Sequence, residues 1–311
     1  PFAREHPLRS WWYFISTAML FAACLAVGAM PLPWWVRLVS GIFGGLTLCR
    51  LFIIYHDQQH GTILRGSRLA DWLMTAFGIL SLNPPSTWNA SHNHHHKHVG
   101  KIRGASIGSF PVMTVASYAR ADRKERFRYA ASRSAITIFF AWITVFLVAM
   151  TMSSLIRKPR QHLDCLAAVV IHVILWALLI LFAPWALLYS FAIPLTIGSA
   201  LGAYLFYIQH NFPAVDLGDQ SEWDYVFAAM HSSSFLDTTR VMHWFTGNIG
   251  YHHIHHLNAR IPFYRLPEVM KALPELQTPG RTSLSPRAVF GCLRLKLWDA
   301  EQRVMVGFSG H

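Results

Sequence analysis

Five long apolar segments dominate this chain and restrict what it can fold into. They cover residues 11–30, 33–55, 134–152, 163–182 and 185–208. Each is close to the roughly 20 residues that a helix needs to cross the hydrocarbon core of a bilayer. Only 14% of the 311 residues are charged, whereas soluble domains contain roughly 25%. We therefore expect an all-α, polytopic membrane protein.

Short interruptions group these segments into hairpins. Pro31–Pro33 separates the first two, and Ala183 and Pro184 separate the last two, so each pair is expected to enter and leave on one side of the membrane. Two connections are rich in basic residues, which retain short loops in the cytoplasm. Since these loops flank 134–152, that segment and the shorter 69–83 are expected to lie in the interface or re-enter, leaving four spans. The basic residues are Arg120, Arg123, Lys124, Arg126, Arg128 and Arg133 in one connection and Arg157, Lys158 and Arg160 in the other.

The whole chain, residues 1–311, is expected to form one domain. Its cytosolic helical cap is expected to cover about 56–133 and 209–311. The formal charge of +12 fits cytoplasmic loops and anionic lipid headgroups, and nucleic acid is not expected as a partner of so apolar a chain. The four cysteines are scattered without C-x-x-C spacing, which argues against a disulfide framework or a cysteine-held cluster.

Histidine needs a special explanation, because the chain contains 18 of them. One pair has i, i+4 spacing at the end of the second apolar segment, which places its rings about 40° apart on one helical face. Two further segments have the pattern H-x-x-H-H, whose three histidines also share a face. One more histidine follows the last apolar segment. These nine residues are His56 and His60, then His92, His95 and His96, then His210, then His252, His255 and His256.

Three such clusters at one membrane surface indicate a metal site. A lone histidine is more often a hydrogen-bonded structural residue, and this is the interpretation for His6, His162, His172, His231, His243 and His311. His94, His98 and His253 have spacings that turn them away from the shared faces. Nine ligands exceed the needs of one four- to six-coordinate ion, so two ions are expected. Imidazole suits zinc, copper, iron and nickel alike, and iron is favoured if the reaction activates O2.

The pair His56 and His60 and the two H-x-x-H-H segments are called the first, second and third histidine boxes below. Their order resembles that of the membrane-bound fatty acid desaturases, particularly the bacterial acyl-lipid members. The resemblance includes Gln209-His210-Asn211 and the run Thr246–Asn258, followed by Ala259–Pro262 and Tyr264–Pro267. It extends from about residue 50 to near the end of the chain. The box combination is specific for this superfamily and much less specific for the substrate or the double-bond position.

The resemblance implies a non-haem centre of two iron ions held by the nine histidines. O2 would be the co-substrate, reduced to water while two hydrogens leave adjacent methylenes of a fatty acyl chain. No catalytic residue beyond the metal centre is implied. Asp57, Asn211 and Asn248 are candidates for orienting the ligands, although helix capping explains them equally well. Trp88 and Trp244 are expected beside the substrate pocket. The implied location is the bacterial inner membrane, with the active site on the cytoplasmic side.

Electrons would come from a separate donor such as ferredoxin or a small cytochrome, because no haem, flavin or iron–sulfur motif occurs in the sequence. The acyl substrate could arrive on a lipid, on CoA or on a carrier protein. Related oxidations remain alternatives: carotenoid ketolase or hydroxylase, and fatty acyl hydroxylase, acetylenase or decarboxylase. A metal transporter is a remote alternative, because transport predicts ionisable residues through the bilayer midplane and only His172 lies deep in an apolar segment.

Overall fold

The computed structural model describes residues 1–102, 107–218 and 223–309, and helices account for most of them. In chain order the α-helices are α1 (Pro7–Ala29), α2 (Trp34–Gln59), α3 (Arg68–Leu80), α4 (Pro85–His98), α5 (Val115–Arg120), α6 (Arg123–Ser132), α7 (Ala135–Phe139), α8 (Ser153–Arg157), α9 (Leu163–Phe182), α10 (Pro184–Ala186), α11 (Ile193–Gln209), α12 (Tyr225–His231), α13 (Arg240–Phe245), α14 (His252–Leu257), α15 (Leu266–Ala272) and α16 (Pro286–Arg294). Two segments are π-helical, Trp142–Met152 and Leu187–Ala192, and short 3-10 turns cover Pro159–Gln161, Phe263–Arg265 and Pro274–Leu276.

Within the described residues, four helical segments are long and apolar enough to cross a membrane. Three of them are α1, α2 and α9, and the fourth is the continuous run Pro184–Gln209, which contains α10, a π-helical segment and α11. The prediction of a polytopic all-α protein with about four spans is confirmed. The observed ends differ from the predicted ones by at most four residues, and α2 is longer than predicted because its helix continues through His56 to Gln59.

The apolar segment 134–152 forms a different structure. It becomes α7, the π-helical Trp142–Met152 and α8, and the apolar helix Trp142–Arg157 is shorter than a span. At its start, the buried Arg133 donates to the side chain of Asn211, beside His210. At its end, the hydroxyls of Ser154 and Thr87 lie 2.6 Å apart. Both ends therefore lie beside histidine-bearing segments, as expected of an interfacial or re-entrant helix.

Glycines bring the membrane helices into close contact. A Cβ added at Gly45 of α2 would lie 2.5 Å from Cβ of Ile197, and one added at Gly198 of α11 would lie 2.9 Å from the carbonyl oxygen of Gly45. Small residues allow helix backbones in membranes to approach in this way. At the opposite end from the histidines, the indole of Trp185 donates to the carbonyl of Ala29 at 3.0 Å. The two hairpin turns therefore meet at one end of the bundle.

The cap is mainly helical, as expected, and its described residues also form five short strands. The five strands are β1 (Met113–Thr114), β2 (Phe235–Asp237), β3 (Arg281–Ser283), β4 (Leu297–Asp299) and β5 (Val304–Val306). β4 pairs with β1 in parallel and with β5 antiparallel, and β2 pairs with β3 in parallel. The pairings of β1 with β4 and of β2 with β3 join segments far apart in sequence. Hydrogen bonds from Tyr129 of α6 and from Asn211, just after α11, also join these helices to the C-terminal region. The histidine-bearing segments lie between this cap and the membrane helices.

Candidate metal centre

The end of α2 supplies the first pair of imidazoles. His56 lies in the last turn of the helix, His60 caps it, and Gly61 follows in a left-handed conformation (φ 62°) that ends the helix. Asp57 Oδ1 lies 3.0 Å from His56 Nδ1, and Oδ2 accepts a hydrogen bond from the Phe263 backbone N–H at 2.7 Å. The carboxylate thereby fixes the ring of His56 with Nε2 free to bind a metal.

Two short helices, α4 and α14, face each other and supply six more imidazoles. α4 begins with Pro85 in its first turn, where proline is well tolerated, and it presents His92 and His96 on one face and His95 beside them. α14 presents the opposite combination, with His252 and His256 on one face and His255 beside them. All three positions i, i+3 and i+4 lie on one broad face of a helix, but i+3 and i+4 project to opposite edges of that face. Each helix therefore serves two groups of ligands.

The first group draws on all three boxes. Its Nε2 atoms form a chain of contacts, with distances of 3.0 Å between His56 and His92, 3.0 Å between His92 and His96, and 3.1 Å between His96 and His255. The ring of His60 lies 4.7–5.3 Å from the rings of these four residues, centroid to centroid. Its buried Nε2 has no hydrogen-bond partner among the described residues. The five histidines could hold one metal ion.

The second group is a closed ring of four imidazole nitrogens. Going round the ring, the Nε2 distances are 3.1 Å from His95 to His210, 2.9 Å from His210 to His252, 3.1 Å from His252 to His256, and 3.2 Å from His256 to His95. His210 Nδ1 lies 2.9 Å from the carbonyl oxygen of Ser232, which orients its ring. These four histidines could hold a second ion.

The spacing of the nitrogens fits metal ligation. Imidazole nitrogens bind metals at about 2.0–2.1 Å. At that length, nitrogens 2.9–3.2 Å apart subtend roughly 90–100° at the ion, as in square-pyramidal or octahedral coordination, whereas a tetrahedral site has edges of about 3.4 Å. Hydrogen bonds alone do not account for the ring of four. Each Nε2 either carries one hydrogen or offers a lone pair, so the four nitrogens cannot donate a separate hydrogen bond across each of the four contacts. The donor set therefore fits two metal ions.

Burial keeps these ligands neutral. Burial lowers the pKa of His210 to about 4, although the hydrogen bond to the Ser232 carbonyl opposes this shift. Burial, reinforced by neighbouring imidazoles, also holds the pKa of each remaining ligand of α4 and α14 well below its ordinary value. A neutral imidazole offers the lone pair that a metal needs. At physiological pH these rings are therefore ready to bind metal.

An elongated cavity of about 560 Å³ reaches the centre, a volume within the usual range of ligand pockets. Its walls include His56 and His92 of the first group and His252 of the second. Apolar side chains form most of the remaining wall near the histidines, including Phe52, Trp88, Phe206 and Ile249. The cavity continues between α2, α11 and the helix Trp142–Arg157. An apolar chain in this cavity would pass both histidine groups.

The two predicted pocket tryptophans have different positions. Trp88 lines the cavity and stacks on the ring of His92, with centroids 4.4 Å apart and planes 24° apart. Trp244 lies elsewhere: its ring covers the guanidinium of Arg50 at 4.3 Å, and it is 40% exposed. Arg50 also donates to the carbonyl oxygen of Trp244. Trp244 therefore packs on the outside of α2, away from the described cavity wall.

The residues predicted to orient the ligands also make different contacts. Asp57 contacts a cluster histidine directly. Asn248, in a left-handed conformation (φ 55°), donates to the carbonyl oxygen of Phe263, the residue whose N–H binds Asp57. Asn211 instead joins Arg133 to the C-terminal region by donating to the carbonyl oxygen of Cys292. These contacts connect the segment after α11 to Arg133 and to the C-terminal region.

The three histidines expected to point away from the metal faces do so. His253 is buried, and its Nε2 lies 3.0 Å from the carbonyl oxygen of Leu276. His94 and His98 stack on each other with centroids 3.9 Å apart. His172 lies within α9, where its Nδ1 is 2.8 Å from the Ala168 carbonyl.

Sequence reasoning missed two polar features. The sequence places Arg133 among the basic residues of a cytoplasmic connection, but its side chain is fully buried and donates to Pro111, Tyr207 and Asn211. No local pattern distinguishes it from its exposed neighbours. A third group of possible ligands, His162, Asp164 and Cys165, begins α9. The Asp164 carboxylate already accepts from the backbone N–H and hydroxyl of Ser86 and from the Cys165 N–H, so this group is explained as helix-end hydrogen bonding.

Comparison with known proteins agrees with this geometry. A family model described as fatty acid desaturase matches residues 32–287. A fatty acid desaturase of Bacillus subtilis is 29% identical over 91% of this chain and 81% of its own length. An sn-1 oleoyl-lipid 12-desaturase of Synechocystis is 23% identical over 77% of the chain and 69% of its own length. An sn-1 acyl-lipid omega-3 desaturase (ferredoxin) of Nostoc is 24% identical over 85% and 75%, respectively.

The family match covers α2 to the start of α16 and includes every histidine of the two groups. It therefore covers the whole candidate centre and most of the cavity wall. The chain belongs to the fatty acid desaturase family and is an oxidoreductase.

Proposed function

We propose that this enzyme uses O2 to insert a C=C bond into the acyl chain of a membrane lipid at a histidine-held pair of iron ions. The observation that carries the proposal is the apolar cavity, whose wall contains histidines of both groups. An acyl chain lying there would place one pair of methylenes beside the two ions. The nine histidines identified from the sequence would be the ligands.

Iron is the metal that fits both the family and the ligand geometry. The nitrogen spacings favour angles near 90° rather than the tetrahedral arrangement usual for structural zinc. When bound, the iron pair supplies the oxidising power that removes hydrogen from an unactivated methylene, a task for which acid–base side chains are useless. Asp57 and the Ser232 carbonyl would hold His56 and His210 in the orientation that binds the ions.

The reaction balances with an external electron donor. Two hydrogen atoms leave adjacent methylenes as the C=C bond forms, and these, with two electrons from the donor and two protons from water, reduce O2 to two water molecules. Trp88, Phe206 and Ile249 line the chain's path beside the ligands. They would hold the acyl chain in register and exclude bulk water from the oxidation.

The relatives guide the proposal for substrate and donor. Those from cyanobacteria are named as sn-1 oleoyl-lipid or sn-1 acyl-lipid desaturases, and two of the names include ferredoxin. We propose a lipid-linked acyl substrate and a small acidic donor, ferredoxin or a small cytochrome. The exposed basic side chains of α5 and α6 could attract such a donor. They are Arg120, Arg123, Lys124, Arg126 and Arg128.

The proposed location is the bacterial inner membrane, with the metal centre on the cytoplasmic side. Four apolar segments fit a membrane protein. The same exposed basic side chains of α5 and α6 belong to the cap that covers the histidine clusters, and short loops rich in positive charge are retained in the cytoplasm. On that side the centre could receive electrons from a soluble donor.

The test is to express the protein in a bacterial host with a known acyl-chain profile, so that any new double bond can be recognised. We expect a new C=C bond in membrane acyl chains by mass spectrometry, dependence on O2, and two iron ions per purified chain. The same cells grown without O2 are the control. A hydroxylated, ketonic or one-carbon-shorter product would reject desaturation and favour a related oxidation. Zinc in place of iron, with the product still formed, would reject the proposed metal.

A further inference from the structure

One part of the cavity wall lies on α11, about two to three helical turns before His210. Gly198, Ser199, Gly202 and Ala203 of α11 line this part together with Leu48 of α2. The glycines at 198 and 202 are one helical turn apart and therefore share a face. Their surroundings differ, and the difference determines where the cavity ends.

Gly198 closes the cavity, whereas Gly202 leaves it open. A Cβ added at Gly198 would lie 2.9 Å from both the Gly45 carbonyl oxygen and a methyl carbon of Leu48. There α2 and α11 are in backbone contact. A Cβ added at Gly202 would have no atom within 4 Å. The space that a side chain at residue 202 would occupy is therefore part of the cavity.

The distance from the metal groups follows from helix geometry. Gly202 precedes the ligand His210 by eight residues, which is about 12 Å along a helix axis, and Gly198 lies about 6 Å further. The open volume therefore extends well beyond the ligands before the contact between Gly45 and Gly198 blocks it. A substrate bound across the centre would extend its far end towards Gly202.

Polarity determines which end of the acyl chain lies there. At the end near α8, the cavity wall includes Ser153, Ser154 and the exposed Arg157, which suit a polar or anionic headgroup. Around the contact between α2 and α11 the wall includes Leu48, then Phe146, which packs against the apolar cluster that contains Leu48, and the small hydroxyl of Ser199. Burying a polar headgroup among these side chains would carry a large desolvation cost. The methyl end of the chain is therefore the end that extends to Gly202.

We infer that Gly202 is a specificity-determining residue: its absent side chain accommodates the methyl end of the acyl chain and limits how many carbons can follow the new double bond. This inference rests on the proposed function for its substrate. According to this inference, residue 202 of α11 selects the length of the acyl chain.

The expected effect follows from the volume added at residue 202. A leucine side chain has four carbon atoms, so a similar number of methylenes would be displaced from the far end of the cavity. Each methylene left unburied weakens binding about fourfold. Gly202→Leu should weaken binding of the longest accepted chain at least tenfold relative to a chain shorter by four carbons. Gly202→Ala should weaken only the longest chain, about fourfold.

The experiment measures binding and products separately. Purified protein is mixed with equal amounts of saturated lysophosphatidylglycerols whose chains differ by two carbons, and the bound lipids are counted by native mass spectrometry. The chain-length distribution of unsaturated products is then measured in cells. Gly291→Leu is the matched control, because Gly291 is also a helical glycine with no atom within 4 Å of an added Cβ, but it lies on exposed α16 outside the described cavity wall.

Selective loss of the longer chains in the Gly202 variants, with the control unchanged, would support the inference. An unchanged profile, an equal loss at all chain lengths, or the same shift in Gly291→Leu would overturn it. If Gly202→Leu does not fold, Gly202→Ala decides by the same criteria. Absence of any unsaturated product from the unmodified chain would reject the proposed function, whereas the lipid-binding profile would still decide the role of Gly202.

Discussion

At the residue scale, the number and neutrality of the buried imidazoles distinguish this site from ordinary histidine packing. Nine histidines divide into five and four, and α14 contributes to both groups. In the same helix His253 points away and contacts the carbonyl of Leu276. This helix therefore contains candidate ligands and, beside them, a buried histidine that belongs to neither group.

We expect His255→Ala to abolish product formation and to lower bound iron, because it removes one of five nitrogens from the first group. Membrane insertion should be unchanged. His253→Ala is the matched control and should retain bound iron, although it loses a buried contact. Iron is measured by elemental analysis of the purified protein and product by lipid mass spectrometry. Full activity of His255→Ala would show that the third box is not a ligand set.

The sequence predicted that the nine imidazoles would meet, because the spacing within each segment places its histidines on one helical face and the apolar segments place the histidine clusters at one membrane surface. The division into five and four was not predictable, since it depends on how α4 and α14 are rotated about their axes when they face each other. Asp57 could be anticipated because it adjoins His56. The partners of Asn211 and Trp244 could not, because Arg133 and Arg50 are distant in sequence from the residues they contact.

At the element scale, the contact between α2 and α11 fixes the relative positions of the first box and His210. Gly45 and Gly198 permit this contact, because any Cβ there would overlap the other helix. The apolar pattern predicted both helices well. It could not predict that 134–152 would be a shortened, partly π-helical segment, because length and hydropathy do not distinguish a span from a helix that returns to the same side.

Gly45→Ala should destabilise the protein by about 1–3 kcal/mol, the usual cost of overpacking, because the new Cβ would lie 2.5 Å from Cβ of Ile197. Unfolding in detergent, followed by circular dichroism, measures the change. Gly291→Ala is the control and should be neutral or slightly stabilising, since alanine is the better helix former and open space surrounds that position. Equal stability of the two variants would contradict the proposed close contact.

At the scale of the whole molecule, the two helical hairpins have their turns at one end and the histidines at the other. The contact of Trp185 with the Ala29 carbonyl marks the first end. The cap closes the second end by pairings such as β1 with β4, whose residues are separated by most of the chain. Short apolar strands of this kind give little signal in a sequence dominated by helices, so the sheets were not predicted.

This arrangement predicts opposite labelling of two surface positions. Leu32 lies 36% exposed in the first hairpin turn, and Arg128 is exposed on α6. With an impermeant maleimide, Leu32→Cys should label in right-side-out vesicles and Arg128→Cys only in inverted ones. The native cysteines are buried or half-buried, which keeps the background low. Labelling of both positions from one side would reject the proposed orientation.

Each histidine group includes candidate ligands from α14, which follows all four candidate membrane spans in the sequence. A nascent chain therefore has neither complete group until α14 has left the ribosome and the membrane helices have been inserted. Under the proposed function, metal would then be loaded only after all four candidate spans have been synthesised. A truncated product ending before α14 would occupy the bilayer without acquiring a complete centre, so premature termination would yield an inert membrane protein.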